Sequence, residues 1–283
     1  MSASLLHDRY QMQTPLHANK PNVRKAWDRQ QRQSVIVKSF LDPHQAQLEF
    51  TALHRLAGLG AAVQMLDTYS AECIGRTEWC IILECAEQGT LLDMLERLPT
   101  RHLPEQWLRP VARQLIVGLF ELHARGVAHG DIKPSNILQR ADGSLAYCDF
   151  GLSTVSGLAA AGAANLVDKC SGTPAFVAPE VITIALRDSS TAAAPASARQ
   201  YDGYAADIWS LGVTLFVLAT GNLPFDDKTE MGMYQKILSG RISFPSKPKL
   251  SAQFRSLLKS MLQKNPQQRA STAELILHPA IAS

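Results

Sequence analysis

The chain lacks a strong charge excess, a long apolar run and a signal-type leader. Charged residues make up 19% of its 283 residues, and 28 lysines and arginines against 25 aspartates and glutamates leave a formal net charge of +3. This excess is too small to indicate nucleic acid or a membrane surface as a partner. The longest apolar run, around 211–219, is too short to span a bilayer, and no apolar segment of signal-peptide type follows the first residues. We therefore expect no nucleic-acid partner and no membrane partner.

Cysteine is also scarce, and its positions show no metal-site spacing. The cysteines are odd in number and lie at Cys73, Cys80, Cys85, Cys148 and Cys170. Free thiols in a reducing compartment are the simplest interpretation. We therefore expect a cytoplasmic protein. Independently of the cysteines, a chain of this length can bury a large core in one or two domains.

The stretch around which the chain is organised is 127–136, Val-Ala-His-Gly-Asp-Ile-Lys-Pro-Ser-Asn. Asp131 can accept a proton from an attacking hydroxyl, Lys133 can offset charge on a transferred phosphoryl group, and Asn136 offers an oxygen ligand for Mg²⁺. A match this short also arises by chance. However, Cys-Asp-Phe-Gly at 148–151 and Ala-Pro-Glu at 178–180 follow in order. Together these motifs resemble those of eukaryotic protein kinases, from about residue 35 to near the end of the chain.

This resemblance implies an α+β fold of two lobes, with a small, mostly antiparallel β lobe that carries one helix and a larger helical lobe. We assign 34–283 to the kinase domain, with the small lobe to about 83, the hinge at 84–89 and the large lobe from 90. Residues 1–33 form a weakly patterned N-terminus. The implied activity is transfer of the γ-phosphate of ATP, with Mg²⁺, to serine or threonine hydroxyls of a protein substrate.

The resemblance also assigns the upper half of the site. The β-branched alternation at 34–40 predicts a strand, and Lys38 on it is the candidate for the α- and β-phosphates. Ile36 stands where the family has a small alanine, so its side chain should crowd the adenine. A helix predicted from 42 to about 58 carries Glu49 as the partner of Lys38.

The remaining assignments follow the family motifs. Leu83 would be the gatekeeper, and the carbonyl of Glu84 and the N–H of Ala86 would bind the adenine edge, with Leu138 in the same nucleotide site. Asp149 is the principal Mg²⁺ ligand by resemblance. Thr173 resembles the threonine that bridges the catalytic Asp and Lys in serine/threonine kinases. Glu180 and Arg269 should form a buried ion pair, and Asp207 should form hydrogen bonds with the backbone of the catalytic loop.

Glycine is absent where the resemblance expects a glycine-rich phosphate loop, at 16–23 (Leu-His-Ala-Asn-Lys-Pro-Asn-Val). Glycine serves such a loop because backbone N–H groups must approach the phosphates closely, often at positive φ. With Ile36 over the base, this absence predicts weak binding of ATP. It also keeps an alternative open, a pseudokinase that acts as a binding or scaffolding module. The presence of every catalytic acid favours the enzyme.

Finer likenesses suggest a substrate and a mode of regulation. The large lobe resembles calcium/calmodulin-dependent kinase kinases, in Gly-Thr-Pro-Ala-Phe-Val-Ala-Pro-Glu at 172–180 and Lys-Asn-Pro at 264–266. The His-Gly-Asp form at 129–131 looks like plant relatives that activate kinases of the AMP-activated type, so the likeness implies another kinase of that type as the substrate. The Arg/Pro-rich insertion and a calmodulin-binding tail are missing, so calmodulin is not expected as a partner. Gly130 replaces the arginine that would pair with an activation-segment phosphate, and Lys169 stands at the usual phosphosite. We therefore expect activity that is independent of phosphorylation there.

Overall fold

The computed structural model describes residues 5–6, 8–17, 20–73, 76–156, 166–167, 172–188 and 200–282. Three features predicted from the sequence lie wholly or mostly outside these ranges. They are Lys169, the small-residue tract at 157–164, and positions 189–199 of a low-complexity insertion predicted at 187–200.

The first part of the chain forms an antiparallel sheet of six strands with one helix. The strands are β1 (Leu5–Leu6), β2 (Tyr10–His17), β3 (Lys20–Asp28), β4 (Gln33–Phe40), β5 (Met65–Cys73) and β6 (Arg76–Glu84), in the order β1-β2-β3-β4-β6-β5. Helix α1 (Pro43–Arg55) follows β4, and Asp42 caps it by accepting a hydrogen bond from His44 N at 2.9 Å. The sheet continues across the boundary predicted between 33 and 34, because β3 and β4 are paired along their length.

The stretch predicted as a phosphate loop lies in the hairpin of β2 and β3. Strands β2 and β3 remain paired as far as His17 and Lys20, with register shifts on either side of Pro15. Only positions 18 and 19, outside the described residues, separate the two strands. Paired strands direct backbone N–H groups to each other, so fewer of these groups can face a phosphate than in an open glycine loop.

The rest of the described chain is mainly helical. The helices are α2 (Leu91–Arg97), α3 (Glu105–Ala124), α4 (Pro179–Asp188), α5 (Gly203–Thr220), α6 (Glu230–Ser239), α7 (Ala252–Met261), α8 (Thr272–Ile276) and α9 (Pro279–Ala282). The short strands are β7 (Val127–Ala128), β8 (Ile137–Gln139), β9 (Leu145–Tyr147), β10 (Thr154–Val155), β11 (Leu166–Val167) and β12 (Tyr201–Asp202), and they pair as β7 with β10, β8 with β9, and β11 with β12. This architecture confirms the predicted α+β fold with a small β lobe and a larger helical lobe.

Helix α5 is the core of the large lobe. It is long and apolar enough to cross a membrane by length and composition alone, but 83% of that window is buried inside the protein. Both Trp209 and Leu215 are fully buried, as is the polar Asp207 at 1% exposure. A buried carboxylate needs strong partners, and those partners belong to the site described next.

Candidate active site

The loop at 127–136 is held by one carboxylate of the core helix. Asp207 accepts hydrogen bonds from the backbone N–H groups of His129 and Gly130, at N···O distances of 2.8 and 2.9 Å. Its Oδ2 atom also lies 2.9 Å from Nε2 of His123 on α3. Two consecutive amides that share one buried carboxylate fix the loop backbone, as the sequence predicted for Asp207.

The side chains of Asp131, Lys133 and Thr173 form one hydrogen-bonded group. Lys133 Nζ lies 2.6 Å from Asp131 Oδ2 and donates to Thr173 Oγ1, also at 2.6 Å. The hydroxyl and the backbone N–H of Thr173 donate to Asp131 Oδ1 at 2.7 and 3.0 Å. The predicted bridge through Thr173 is therefore present, and it joins the catalytic loop to the stretch that begins at Gly172.

These contacts set the charge of Asp131. Burial raises its pKa, but hydrogen bonds from Lys133 and Thr173 outweigh burial and hold the pKa below its ordinary value. The carboxylate is therefore ionised at neutral pH. Because a carboxylate of low pKa is a weak base, this environment suits the orientation of a hydroxyl better than its early deprotonation.

Lys38 connects the two lobes through two carboxylates. Its Nζ atom lies 2.9 and 2.6 Å from the two carboxylate oxygens of Glu49 on α1, and 2.6 Å from Oδ1 of Asp149. The partnership predicted between Lys38 and Glu49 is present, and Glu49 is only 1% exposed. Burial lowers the pKa of Lys38, but the charges of Glu49 and Asp149 outweigh burial and raise it, so the amine stays charged.

Asp149 lies just beyond β9 in an uncommon backbone conformation. Its φ is +66°, in the left-handed region that few residues other than glycine adopt. Such conformations persist where the surrounding structure imposes them, and they cluster at functional sites. The conformation places the carboxylate beside Lys38 and the following Phe150 in the core, where its ring lies 4.9 Å from that of His129.

Two side chains offer oxygen ligands that suit Mg²⁺. Asn136 donates from Nδ2 to the carbonyl and to Oδ2 of Asp131, at 2.9 and 3.0 Å, which leaves its amide oxygen as the ligand atom. The carboxylate of Asp149 is the second ligand group. Because Mg²⁺ keeps several waters and takes phosphate oxygens, one or two protein ligands suffice. Within the described ranges, no group of three or more His, Cys, Asp or Glu forms a metal site by itself.

One face of the six-stranded sheet carries Ile36 and Lys38 and covers the candidate nucleotide site; we call this face the roof. Ile36 lies directly opposite Leu83 of β6 and Lys25 of β3, and Lys38 lies opposite Val23. Directly opposite residues of antiparallel strands point to the same face, and so do residues two apart on one strand. The sequence did not predict a place for Val23 and Lys25 on this face, because that place depends on the pairing of β3 with β4.

The predicted hinge at 84–89 begins at the last residue of β6 and lies against β8. Leu138 on β8 is partly buried against the main core and bridges to Thr90. The N–H of Gln139 donates to the carbonyl of Gly89 at 2.9 Å. The N–H of Gly89 in turn donates to the carbonyl of Ala86 at 3.1 Å. These bonds place Leu138 of β8 beside the segment that contains Ala86.

A group of hydrogen bonds around Arg140, which was not predicted from the sequence, fixes the first residue of the hinge. Arg140 donates from Nη2 and Nε to the two carboxylate oxygens of Glu84, at 2.7 and 3.0 Å. It also donates to the carbonyls of Gly60 and Ala62, at 2.8 and 3.1 Å. The Glu84 carboxylate additionally accepts from Gln64 N at 2.9 Å. The only signal in the sequence is an arginine after a short strand, which does not reveal such distant partners.

The comparisons with known proteins agree with this geometry. The family model for the protein kinase domain matches residues 19–281. CBL-interacting protein kinase 4 of Oryza sativa subsp. japonica is 39% identical over 198 residues, which cover 70% of this chain and 40% of the relative. CBL-interacting serine/threonine-protein kinase 16 of Arabidopsis thaliana is 38% identical over 203 residues, with 70% and 39% covered. CBL-interacting protein kinase 22 of Oryza sativa subsp. japonica is 35% identical over 241 residues, with 82% and 47% covered. The chain therefore spans less than half the length of these relatives.

Proposed function

The chain belongs to the protein kinase domain family, and on that premise we propose that it transfers the γ-phosphate of ATP to serine or threonine hydroxyls of a protein. The observation that carries this proposal is the assembled group of Asp131, Lys133 and Thr173, with Lys38 charged and paired to Glu49 and Asp149. Serine/threonine specificity is supported by Lys133, by Thr173 and by the name of the Arabidopsis thaliana relative.

Asp131, Lys133 and Thr173 act on the substrate hydroxyl and on the transferred phosphoryl group. Asp131 orients the substrate hydroxyl and takes its proton as the hydroxyl oxygen bonds to the γ-phosphorus, while the bond from that phosphorus to the bridging oxygen breaks and ADP leaves. Lys133 offsets the charge that develops on the transferred group. Thr173 holds both in place, since it accepts from Lys133 and donates to Asp131.

The nucleotide end is held by a different set. Lys38 offers its charge to the phosphates, and Asn136 and Asp149 would hold Mg²⁺, which when bound neutralises phosphate charge. The roof and hinge residues Ile36, Leu83, Glu84, Ala86 and Leu138 would enclose the base. Because the hairpin at His17 and Lys20 replaces a glycine loop, we infer that this end binds weakly.

The first prediction tests turnover. Asp131→Asn and Asp149→Asn should each abolish phosphate transfer, because one removes the orienting carboxylate and the other the principal Mg²⁺ ligand. Incorporation of radiolabelled phosphate into a generic protein substrate measures the effect, and circular dichroism checks that each variant is folded.

The matched control is Asp142→Asn in the turn between β8 and β9, whose carboxylate contacts only its own turn and Arg140 in the residues described. It should keep the wild-type rate. Wild-type incorporation no higher than that of Asp149→Asn would reject the enzyme and favour the pseudokinase alternative.

The finer substrate assignment lacks support from the comparisons. The relatives reported above are named as CBL-interacting kinases and not as kinase kinases, so the likeness to calcium/calmodulin-dependent kinase kinases is not supported. Phosphorylation of another kinase remains a prediction from motif likeness. Mapping phosphosites on a catalytically dead kinase of the AMP-activated type would test it, since sites outside the activation segment would count against it.

The names also say that those relatives interact with CBL, and because the match covers less than half of them, we do not transfer that interaction to this chain.

A further inference from the structure

Gly130 occupies the position where the family motif has arginine, and its backbone conformation is unusual. Its φ is +80°, in the region that side chains other than glycine rarely adopt. A Cβ atom at this position would lie 2.5 Å from the carbonyl oxygen of Leu152 and 3.2 Å from its carbonyl carbon. Real Cβ atoms do not approach a backbone oxygen so closely, so the space that a side chain would need is filled by the main chain of Leu152.

The carbonyl of Leu152 is not free to move aside. Ser153, which follows Leu152, donates from its N–H and its hydroxyl to the carbonyl of Phe150, two residues before Leu152, at 3.0 and 2.6 Å. The next residues, Thr154 and Val155 of β10, are paired with Ala128 and Val127 of β7. Leu152 is therefore fixed between two hydrogen-bonded anchors.

The backbone at Gly130 is fixed as well. Its N–H and that of His129 donate to the buried Asp207, at 2.9 and 2.8 Å. Its carbonyl lies against Gly172, where a Cβ atom would come within 3.3 Å of that oxygen. Gly172 directly precedes Thr173, and Gly130 directly precedes Asp131, so the close approach of the two glycines brings together the segments that carry Thr173 and Asp131.

We propose that Gly130 is a positioning residue: its missing side chain lets the main chain at Leu152 pack directly on the catalytic loop, and this contact takes the place of the arginine–phosphate pair. This inference rests on the proposed kinase activity and adds the means by which the site is held in its working arrangement. It follows that restoring the arginine of the family motif should damage the enzyme instead of improving it.

The experiment compares Gly130→Ala and Gly130→Arg with Gly143→Ala. Gly143, in the turn between β8 and β9, has a φ of +84°, but a Cβ atom there would meet nothing within 4 Å. Both positions thus impose the same backbone penalty, and only Gly130 adds the collision. We expect kcat to fall at least about tenfold in both Gly130 variants, which corresponds to ~1.4 kcal/mol or more of lost transition-state stabilisation. KM for ATP should stay within about twofold, because Lys38 and the hinge do not contact Gly130, and Gly143→Ala should match the wild type in both constants.

A second readout does not depend on activity. Hydrogen exchange of the backbone amides in the 127–136 segment should accelerate at least about tenfold in Gly130→Ala and stay unchanged in Gly143→Ala, because the collision disturbs the bonds to Asp207. Wild-type kcat in Gly130→Arg, or unchanged exchange in Gly130→Ala, would overturn the inference. If the wild type itself shows no turnover above Asp149→Asn, the proposed function fails, and the exchange result alone decides the inference.

One arm needs no variant. Wild-type protein treated with phosphatase and shown by mass spectrometry to be free of phosphate should keep its rate, because the catalytic loop is held by backbone packing. A loss of about tenfold or more that rephosphorylation restores would overturn the proposal, even if Gly130→Ala fails to fold.

Discussion

At the scale of single residues, one face of β4 carries both the candidate phosphate-binding cation and the main departure from the family motif. Ile36 and Lys38 are two apart and share this face, with Leu83 opposite Ile36. Ile36 is partly buried and packs against the main core. In the proposed nucleotide site, its side chain would take up space on this face that a small residue would leave to the adenine.

Ile36→Ala should tighten ATP binding. Wild-type KM is expected near ~1 mM, the upper end of the usual range, because each hydrogen bond to a charged phosphate that the hairpin fails to make is worth about 1.5–3 kcal/mol. Truncation opens the roof and should lower KM severalfold, measured by steady-state kinetics at saturating protein substrate.

The control for this prediction is the next residue on the same strand. Val37 is fully buried on the opposite face, so Val37→Ala should lower stability and leave KM unchanged. A micromolar KM in the wild type that Ile36→Ala leaves unaltered would show that the roof does not restrict the base.

The residues named from sequence motifs and those found only in the structure differ in a physical way. Asp131, Lys133 and Asp149 could be named because each lies in a short motif that resembles those of protein kinases, and such a motif can be read from one segment of chain. Val23 and Arg140 could not, because each acquires its position from a pairing or a contact with residues far away in the sequence.

At the scale of elements, regular patterns were a good guide. The alternation at 34–40 and the apolar stripe after Asp42 correspond to β4 and α1, and Thr90 begins α2 with a full capping box. The first strands were not predicted individually, because the register shifts around Pro15 break the alternation of β2. Strand β5 was not predicted either, and it lies at the edge of the sheet with alternately exposed positions.

The connection between the lobes depends on Arg140, which joins the β8–β9 turn to β6 and to the segment after α1. Arg140→Gln should lower the free energy of unfolding by about 1–3 kcal/mol, because the partly buried Glu84 carboxylate loses its cation and two hydrogen bonds, and the carbonyls of Gly60 and Ala62 each lose a donor. KM for ATP should also rise, because Glu84 is part of the predicted hinge. Urea denaturation and steady-state kinetics measure the two effects.

The matched control is Arg97→Gln on α2. Arg97 is exposed and donates to the carbonyl of Gln88 at 3.3 Å, so its loss should change stability by less than about 0.5 kcal/mol. Equal effects of the two variants would contradict a special role for Arg140 in fixing the hinge.

At the scale of the whole molecule, the order and spacing of motifs predicted the two-lobed fold, but short likenesses within the large lobe did not predict the subfamily. Glu180, Asp207 and Arg269 serve the architecture of the large lobe, and their partners were correctly named in advance. Motifs such as Lys-Asn-Pro at 264–266 serve packing too, since Lys264 lies 3.8 Å from the centre of the Phe225 ring. Residues that maintain a fold are shared widely across a family, so they carry little information about its substrates.

The pair of Glu180 and Arg269 gives the sharpest test of what holds the large lobe together. Arg269 Nη1 and Nη2 lie 2.7 and 2.9 Å from the two oxygens of Glu180, and the Arg269 side chain is 0% exposed. Arg269→Met should cost about 3–5 kcal/mol in unfolding free energy, because it leaves a largely buried carboxylate without its cation. Lys236→Met removes the cation of an exposed pair with Asp227, at 50% and 28% exposure, and should cost only about 0–1 kcal/mol.

The size of the loss alone does not separate a favourable ion pair from the penalty of an unpaired charge. The double variant Glu180→Gln/Arg269→Met buries neither charge, so if the penalty dominates, it should recover a large part of the stability lost in Arg269→Met. If the double variant is as unstable as Arg269→Met, the loss comes from the other bonds of the guanidinium, to the carbonyls of Gln263 and Ala205. Urea denaturation of the wild type, both single variants and the double variant distinguishes the two explanations. We expect partial recovery, because those carbonyls lose their donor in either variant, whereas the stranded charge on Glu180 is present only in Arg269→Met.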